Sequence, residues 1–323
     1  MTKMEVIWMS ISVSSFLKLV EIQTKVASVI PFTLVTVYAL FRYNSFNITN
    51  FIFMFLSLLT FDMTATAINN YYDYRTAQKT EGYNYESHNA IVRDEIKENT
   101  VIAVIFILLT IASISGVFLY LNTNMVVLIL GIVSFLAGIF YSFGPIPISR
   151  MPLGEIFSGF FMGFVIVFLA TYIHIYDQEI VSILFADGYL NLKVEIIEVL
   201  YLFLISVPTM AGIANIMLAN NISDIEDDIE NQRYTLPIYI GKKKSLTLFK
   251  SIYISLYIDL ILLVFLDVLP VISLITLLTL IPVYKNIQEF YKKQTKKDTF
   301  VYSVKNFILI NTVYIVSLII SLI

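Results

Sequence analysis

The chain has 323 residues, 58% of them hydrophobic and only 14% charged, with a formal net charge of −3 and a mean hydropathy of +0.81. So much apolar side chain cannot be hidden from water by so few polar ones, which excludes a soluble globular domain and calls for a bilayer. The absence of cysteine excludes disulfides, thiolate catalysis and iron–sulfur ligation, and nothing in the chain points to a nucleic-acid partner.

In chain order, Lys3 and Glu5 precede an apolar stretch over residues 6–20 that lacks a small-residue cleavage site. We read it as an interfacial helix leading into the first span, in preference to a cleaved signal peptide. A bilayer crossing takes roughly 20 mostly apolar residues. Stretches meeting that requirement lie at 26–43, 50–69, 101–121, 125–143, 154–175, 197–219, 246–267, 268–285 and 303–323. The expectation is therefore an all-α polytopic membrane protein with nine transmembrane helices in one bundle spanning 1–323, residues 1–25 being the interfacial lead-in. The seventh and eighth stretches meet at Asp267 and Pro270, so eight spans is the alternative count.

Lys and Arg accumulate in short cytoplasmic loops. With the N-terminus inside, the cytoplasmic segments collect 18 of the 21 Lys and Arg residues, whereas the opposite side holds Arg42 and Lys193 and its largest loop, 176–196, carries Asp177, Glu179, Asp187 and Glu195. This places the N-terminus and the polar loops 70–99 and 220–245 in the cytoplasm of a cell-membrane protein.

Those two loops open on asparagine/aspartate clusters, Asn69-Asn70-Tyr71-Tyr72-Asp73 and Asn220-Asn221-Ile222-Ser223-Asp224-Ile225-Glu226-Asp227-Asp228. If the helices continue past the apolar stretches, Asn69 and Asp73 share a face, and Asn220, Asp224 and Asp228 stack within an arc of roughly 80°. Stacked carboxylates repel unless a cation lies between them. Carboxylate and amide oxygens suit Mg²⁺, which takes one or two carboxylates and completes its shell with water and substrate phosphates. The bland alternative is a pair of solvated helix ends, weakened by both clusters lying on one membrane face.

The spacing Asn-x-x-x-Asp on the second span and Asn-x-x-x-Asp-x-x-x-Asp after the sixth resembles the paired signature of the UbiA-type intramembrane aromatic prenyltransferases. Several stretches resemble its MenA branch most: Val20 to Ser28, Asn69 to Tyr74, Tyr141-Ser142-Phe143-Gly144-Pro145, Pro152-Leu153-Gly154-Glu155, and Asp224 to Leu236. The resemblance implies a nine-helix fold that transfers a polyprenyl group from its diphosphate to 1,4-dihydroxy-2-naphthoate with loss of carbon dioxide, giving a demethylmenaquinone-type product in menaquinone biosynthesis. It also implies Mg²⁺ held by Asp73, Asp224 and Asp228, with Asn69 and Asn220 completing the shell, and Lys25 and Arg93 neutralising the diphosphate. Tyr141 would face the allylic carbon, an aromatic face being suited to a prenyl cation; an interfacial tyrosine is the ordinary alternative.

The chain departs from the family pattern at three places. Ala77 and Lys79 stand where another acid is frequent, Glu21-Ile22 replaces an Arg-Pro pair, and Pro145 replaces a lysine common in the 4-hydroxybenzoate branch. Among residues outside the motifs, Asp62 lies at mid-depth of the second span, where a charge costs about 2.5–3.5 kcal/mol and calls for a partner or a role. His88 and His174 fall on opposite faces, Glu155 reads as a helix-start acid, and the lysines at 242–244 and 292–297 read as topology and lipid contacts. Two other functions stay open at this level: the same enzyme type acting on another aromatic or lipid acceptor, and a small-molecule transporter, disfavoured by the scarcity of mid-depth charge.

Overall fold

The computed structural model describes residues 11–76, 89–144, 147–186 and 188–323. Among the described residues, eight helices are long and apolar enough to cross a membrane, and a ninth, shorter apolar helix covers Met125–Tyr141. The multi-pass all-helical expectation holds.

Helix α1 (Val13–Leu19) starts at Ser12, whose side chain accepts from the Ser15 N–H, and its end is anchored by the fully buried Leu19 and Val20. A 3₁₀ turn, Ile22–Lys25, leads into α2 (Val26–Tyr43), which closes on Asn44 in the left-handed conformation. Then follow α3 (Ile48–Thr76), α4 (Glu98–Leu121) and α5 (Met125–Ser142). Helix α3 runs well past its apolar stretch, so the first polar cluster is helical and keeps its i, i+4 faces.

Helix α6 is assembled from Gly154–Ser158, a π-helical stretch Gly159–Val165, and Ile166–Ile175. Its small residues permit a close approach to α7 (Ile196–Ser223): a Cβ on Gly163 would sit 2.5 Å from the Met210 Cα, and one on Gly159 would sit 3.0 Å from the Met210 carbonyl oxygen. Small residues at such crossings are how helices associate where lipid offers no hydrophobic gain.

After α7 come α8 (Ile225–Glu230), a short helical turn Leu236–Ile240, and α9 (Lys242–Phe265). The chain reverses over Leu266–Pro270, with Asp267 at φ 56° and the N–H groups of Val268 and Leu269 both reaching the Leu263 carbonyl. That reversal separates the seventh and eighth spans, the eighth comprising a 3₁₀ helix Val271–Thr279 and α10 (Leu280–Lys292). Helix α11 (Val301–Ile320) completes the bundle.

One element lies outside the all-helical expectation. Between α6 and α7, at the end of the bundle away from the polar clusters, β1 (Val181–Ala186) and β2 (Tyr189–Val194) form an antiparallel hairpin registered Val181 to Val194 through Ala186 to Tyr189. Short alternating strands around an Asp-Gly pair carry a hairpin signal, here hidden by reading 176–196 only for its charge.

Candidate active site

The first cluster divides its work by helix face. Asn70 is buried and structural: its amide donates to the Leu19 carbonyl at 2.9 Å and to Glu21 at 3.3 Å, while its own carbonyl accepts from Asn89. Tyr71 and Arg75 both bond Glu98 on α4. Tyr72 lies under the Arg150 guanidinium, 5.5 Å from its ring centre, and meets Phe143 edge-on. Asn69 and Asp73 occupy the remaining face, and the cations whose fields reach Asp73 are Arg233, Arg150 and Lys296.

The second cluster is not one uninterrupted helix. The chain turns at Asp224 (φ −107°, ψ 12°), where α7 ends and α8 begins. The register nevertheless persists, because the Asp224 N–H donates to the Asn220 carbonyl at 3.1 Å and the Asp228 N–H to the Asp224 carbonyl at 2.7 Å. Asn220, Asp224 and Asp228 thus remain one turn apart.

Two of the three cations seen by Asp73 are also the partners of this cluster. Lys296, from the α10–α11 connection, lies 2.6 Å from Asp224, and the Arg233 Nε lies 3.5 Å from the Asp228 Oδ1. Thr235 donates to the other Asp228 oxygen at 3.1 Å, and the Arg233 N–H donates to the Asp228 carbonyl at 2.8 Å. The Tyr234 N–H donates to the Arg150 carbonyl, pinning this segment to the α5–α6 connection. The two clusters therefore face a common polar mouth. Burial holds the Asp228 carboxyl above the usual carboxylate range, and neighbouring Asp224 adds to that, opposed by Arg233, Thr235 and Lys296.

Every oxygen donor here is hard, which fits Mg²⁺. Among the described residues no three acidic or imidazole side chains gather closely enough to hold an ion unaided. The set instead suits a metal that takes one or two carboxylates and finishes its shell on substrate oxygens.

Beneath the mouth lies an apolar cavity of about 420 Å³, walled by α2 through α6. Along α5 it runs from Tyr141 to Val127, about 21 Å at the helical rise. Its few polar lining groups include Ser28, Asp62, Tyr141 and Ser158. Tyr141 stacks on Phe157 at 6.0 Å, its hydroxyl lies 3.4 Å from the Met217 sulfur, and Glu155 and Arg233 are its charged neighbours. It therefore stands where cavity and polar mouth meet.

Two residues expected at the diphosphate are engaged elsewhere. Lys25 is only 3% exposed, and its ammonium donates to the Asp62 carboxylate at 2.7 Å, the Asp62 carbonyl at 3.2 Å and Thr66 at 2.6 Å. Ser28 donates to the other Asp62 oxygen. Asp62 thus has its intramembrane partner. Arg93 pairs with Asp94 at 2.9 Å, beside Lys18. The cations that do reach the clusters, Arg150, Arg233 and Lys296, were legible only as topology charges or motif members.

Other residues also have different partners from those the sequence suggests. Glu155 is buried and accepts from the Asn221 amide at 2.8 Å, joining α6 to α7 directly under the second cluster. His174 is buried at the far end, where its Nδ1 accepts from the Asn47 N–H. Asp259, a second intramembrane acid, is buried on α9. His88, Ala77, Lys79 and Pro145 lie outside the described residues.

Residues 29–311 match the UbiA prenyltransferase family. The chain is 31% identical over 235 residues to a 1,4-dihydroxy-2-naphthoate octaprenyltransferase from Bacillus subtilis, a stretch covering 73% of this chain and 68% of that enzyme. In fold it is similar to a UbiA homolog from Archaeoglobus fulgidus bound to GPP and Mg²⁺ (TM-score 0.64, 14% identity, covering 95% of this chain and 99% of that one). It is likewise similar to the apo form of a UbiA homolog from Aeropyrum pernix (TM-score 0.62, 20% identity, covering 89% and 97%).

Proposed function

Since this chain belongs to the UbiA prenyltransferase family and is an enzyme that transfers prenyl groups, we propose that it moves a polyprenyl group from its diphosphate to 1,4-dihydroxy-2-naphthoate, with loss of carbon dioxide. The transporter alternative falls with family membership. The observation that carries the reading is the pair of acidic clusters sharing Arg233 and Lys296, with Arg150 beside Asp73, at the mouth of an apolar cavity. The naphthoate acceptor is supported by similarity to the Bacillus subtilis enzyme of that name.

Asp73, Asp224 and Asp228 would hold Mg²⁺, with Asn69 and Asn220 orienting or completing the shell. The ion, when bound, neutralises the diphosphate as it departs. Arg233, Arg150 and Lys296 supply fixed positive charge to the same leaving group, where negative charge grows in the transition state. The cavity takes the prenyl tail and excludes water, and Tyr141, stacked on Phe157, presents its π face to the allylic carbon. The carbon–oxygen bond breaks with its electron pair going to the diphosphate. The acceptor ring carbon bearing the carboxylate then supplies a pair to the allylic carbon, and cleavage of the ring–carboxylate bond returns a pair to the ring.

Lys25 and Asp62 act one step removed, fixing α2 against α3 at the cavity wall. The basic bias of the loops supports a cytoplasmic N-terminus and mouth in a cell-membrane protein.

Membranes containing the protein, supplied with Mg²⁺, a labelled long-chain prenyl diphosphate and 1,4-dihydroxy-2-naphthoate, should form a prenylated naphthoquinol that Asp73→Ala and Asp224→Ala abolish. Product from 4-hydroxybenzoate alone would move the acceptor to another class, and no product from any aromatic acceptor would overturn the reaction.

A further inference from the structure

The hairpin between α6 and α7 has a physical character of its own. Alternate strand residues point to opposite faces, and directly paired residues share a face. The register therefore puts Val181, Ile183 and Phe185 together with Val194, Leu192 and Leu190. That face is wholly apolar. The other carries Ser182, Asn191 and Lys193, with Leu184 and Tyr189 toward the tip.

Among the described residues, only the base of the apolar face has protein to cover it. Val181 and Ile183 are half-buried and pack against the main core, whereas Phe185, Leu190 and Leu192 are 71%, 61% and 64% exposed. The base is fixed in place: the Tyr172 hydroxyl donates to the Val181 carbonyl at 2.6 Å and accepts from Asn124 at 2.8 Å, and the Glu195 N–H closes onto the Ile180 carbonyl. The uncovered face continues into Ile196, Ile197 and Leu200, exposed at the start of the membrane-crossing helix α7.

We propose that this hairpin is a lipid anchor, its apolar face lying in the hydrocarbon boundary of the leaflet distal to the polar mouth. Two features favour lipid over other occupants. The face is continuous with a surface that already meets acyl chains, and Phe185, Leu190 and Leu192 on it are the residue types that interfacial segments bury at the acyl boundary. The attraction is apolar, not electrostatic, because Lys193 is the only Lys or Arg in the sequence of the hairpin and is paired with Glu179 at 3.5 Å, in a segment whose other charged residues are all acidic. Binding is therefore indifferent to anionic headgroups and to salt. The proposal concerns anchoring and does not rest on the transfer reaction.

Since the chain has no cysteine, Leu190→Cys, Leu192→Cys and Asn191→Cys each give one labelling site, all at exposed positions that leave the packed base intact. Each full-length variant would carry an environment-sensitive fluorophore in phosphatidylcholine vesicles, with and without nitroxide on the lipid tails. The labels at 190 and 192 are expected to emit at shorter wavelength and to lose intensity to the nitroxide, while the label at 191 stays water-like. Added anionic lipid or salt should change none of this. Water-like emission from all three overturns the proposal. So does protection of 190 and 192 from both lipid nitroxide and aqueous quencher together with oxidative cross-linking of Leu190→Cys between copies, which would make the face a self-association surface.

Discussion

Replacing Asp62 by leucine leaves the Lys25 ammonium in a membrane interior with only the residue-62 carbonyl and Thr66 to accept from it. Lys25 is 3% exposed and Asp62's side chain 14%. Removing one member of such a pair costs about 3–5 kcal/mol, because the remaining charge is uncompensated. Two neutral acceptors survive, which sets the expectation near the lower end, about 3 kcal/mol. The double variant Lys25→Met/Asp62→Leu removes both charges and should recover most of the loss. Glu179→Ala supplies the contrast: it breaks a pair whose members are 62% and 64% exposed, and should cost under about 1 kcal/mol. Reversible unfolding in mixed detergent micelles, followed by loss of helicity, measures all four proteins. The reasoning is refuted if Asp62→Leu loses no more than Glu179→Ala, or if the double variant is no more stable than the single.

Arg233→Ala and Lys296→Ala should each lower the rate of prenyl transfer by about 10²-fold, the scale for losing one positioned charge donor, read as kcat/KM for the prenyl diphosphate in steady-state assays. Chelation of divalent cations should abolish turnover, and Mg²⁺ should restore it in the parent protein but not in Asp224→Ala. Gly163→Val should cost at least about 2 kcal/mol, since even a Cβ there meets the Met210 backbone at 2.5 Å; thermal unfolding in detergent is the check. Gly131 lines the cavity with open space at its Cβ position, so Gly131→Phe should leave stability near that of the parent and shorten the longest prenyl diphosphate turned over, read by chromatography of products.

Hydropathy made the bundle legible because each crossing is a local property, some 20 residues long, that no distant partner can change. The faces of the polar clusters were legible for the same reason: i, i+4 geometry survives even the turn at Asp224. What escaped were pairings between remote positions. Lys296 looks like one more juxtamembrane lysine until the fold places it beside Asp224, 72 residues earlier. Glu155 reads as a capping residue because Asn221 is 66 positions away. The resemblance points Lys25 at the diphosphate, and Asp62 calls for a partner that the sequence does not name; the fold makes each the partner of the other. The hairpin escaped for another reason: two six-residue strands give a short alternation that is weak beside the acids flanking it.

The polar mouth has a thermodynamic consequence. At the proposed site three carboxylates, Asp73, Asp224 and Asp228, face three cations, Arg150, Arg233 and Lys296, so the charges of these six side chains offset one another. A diphosphate arriving alone must draw the cations away from carboxylates that then repel one another; a dication arriving alone must strip the carboxylates from their cations. Arriving together, they satisfy both halves at once. Each ligand therefore raises the affinity for the other by the same factor, as linkage requires. On the proposed reading the mouth would act as a coincidence detector, in which metal and prenyl diphosphate bind strongly as a pair and weakly apart.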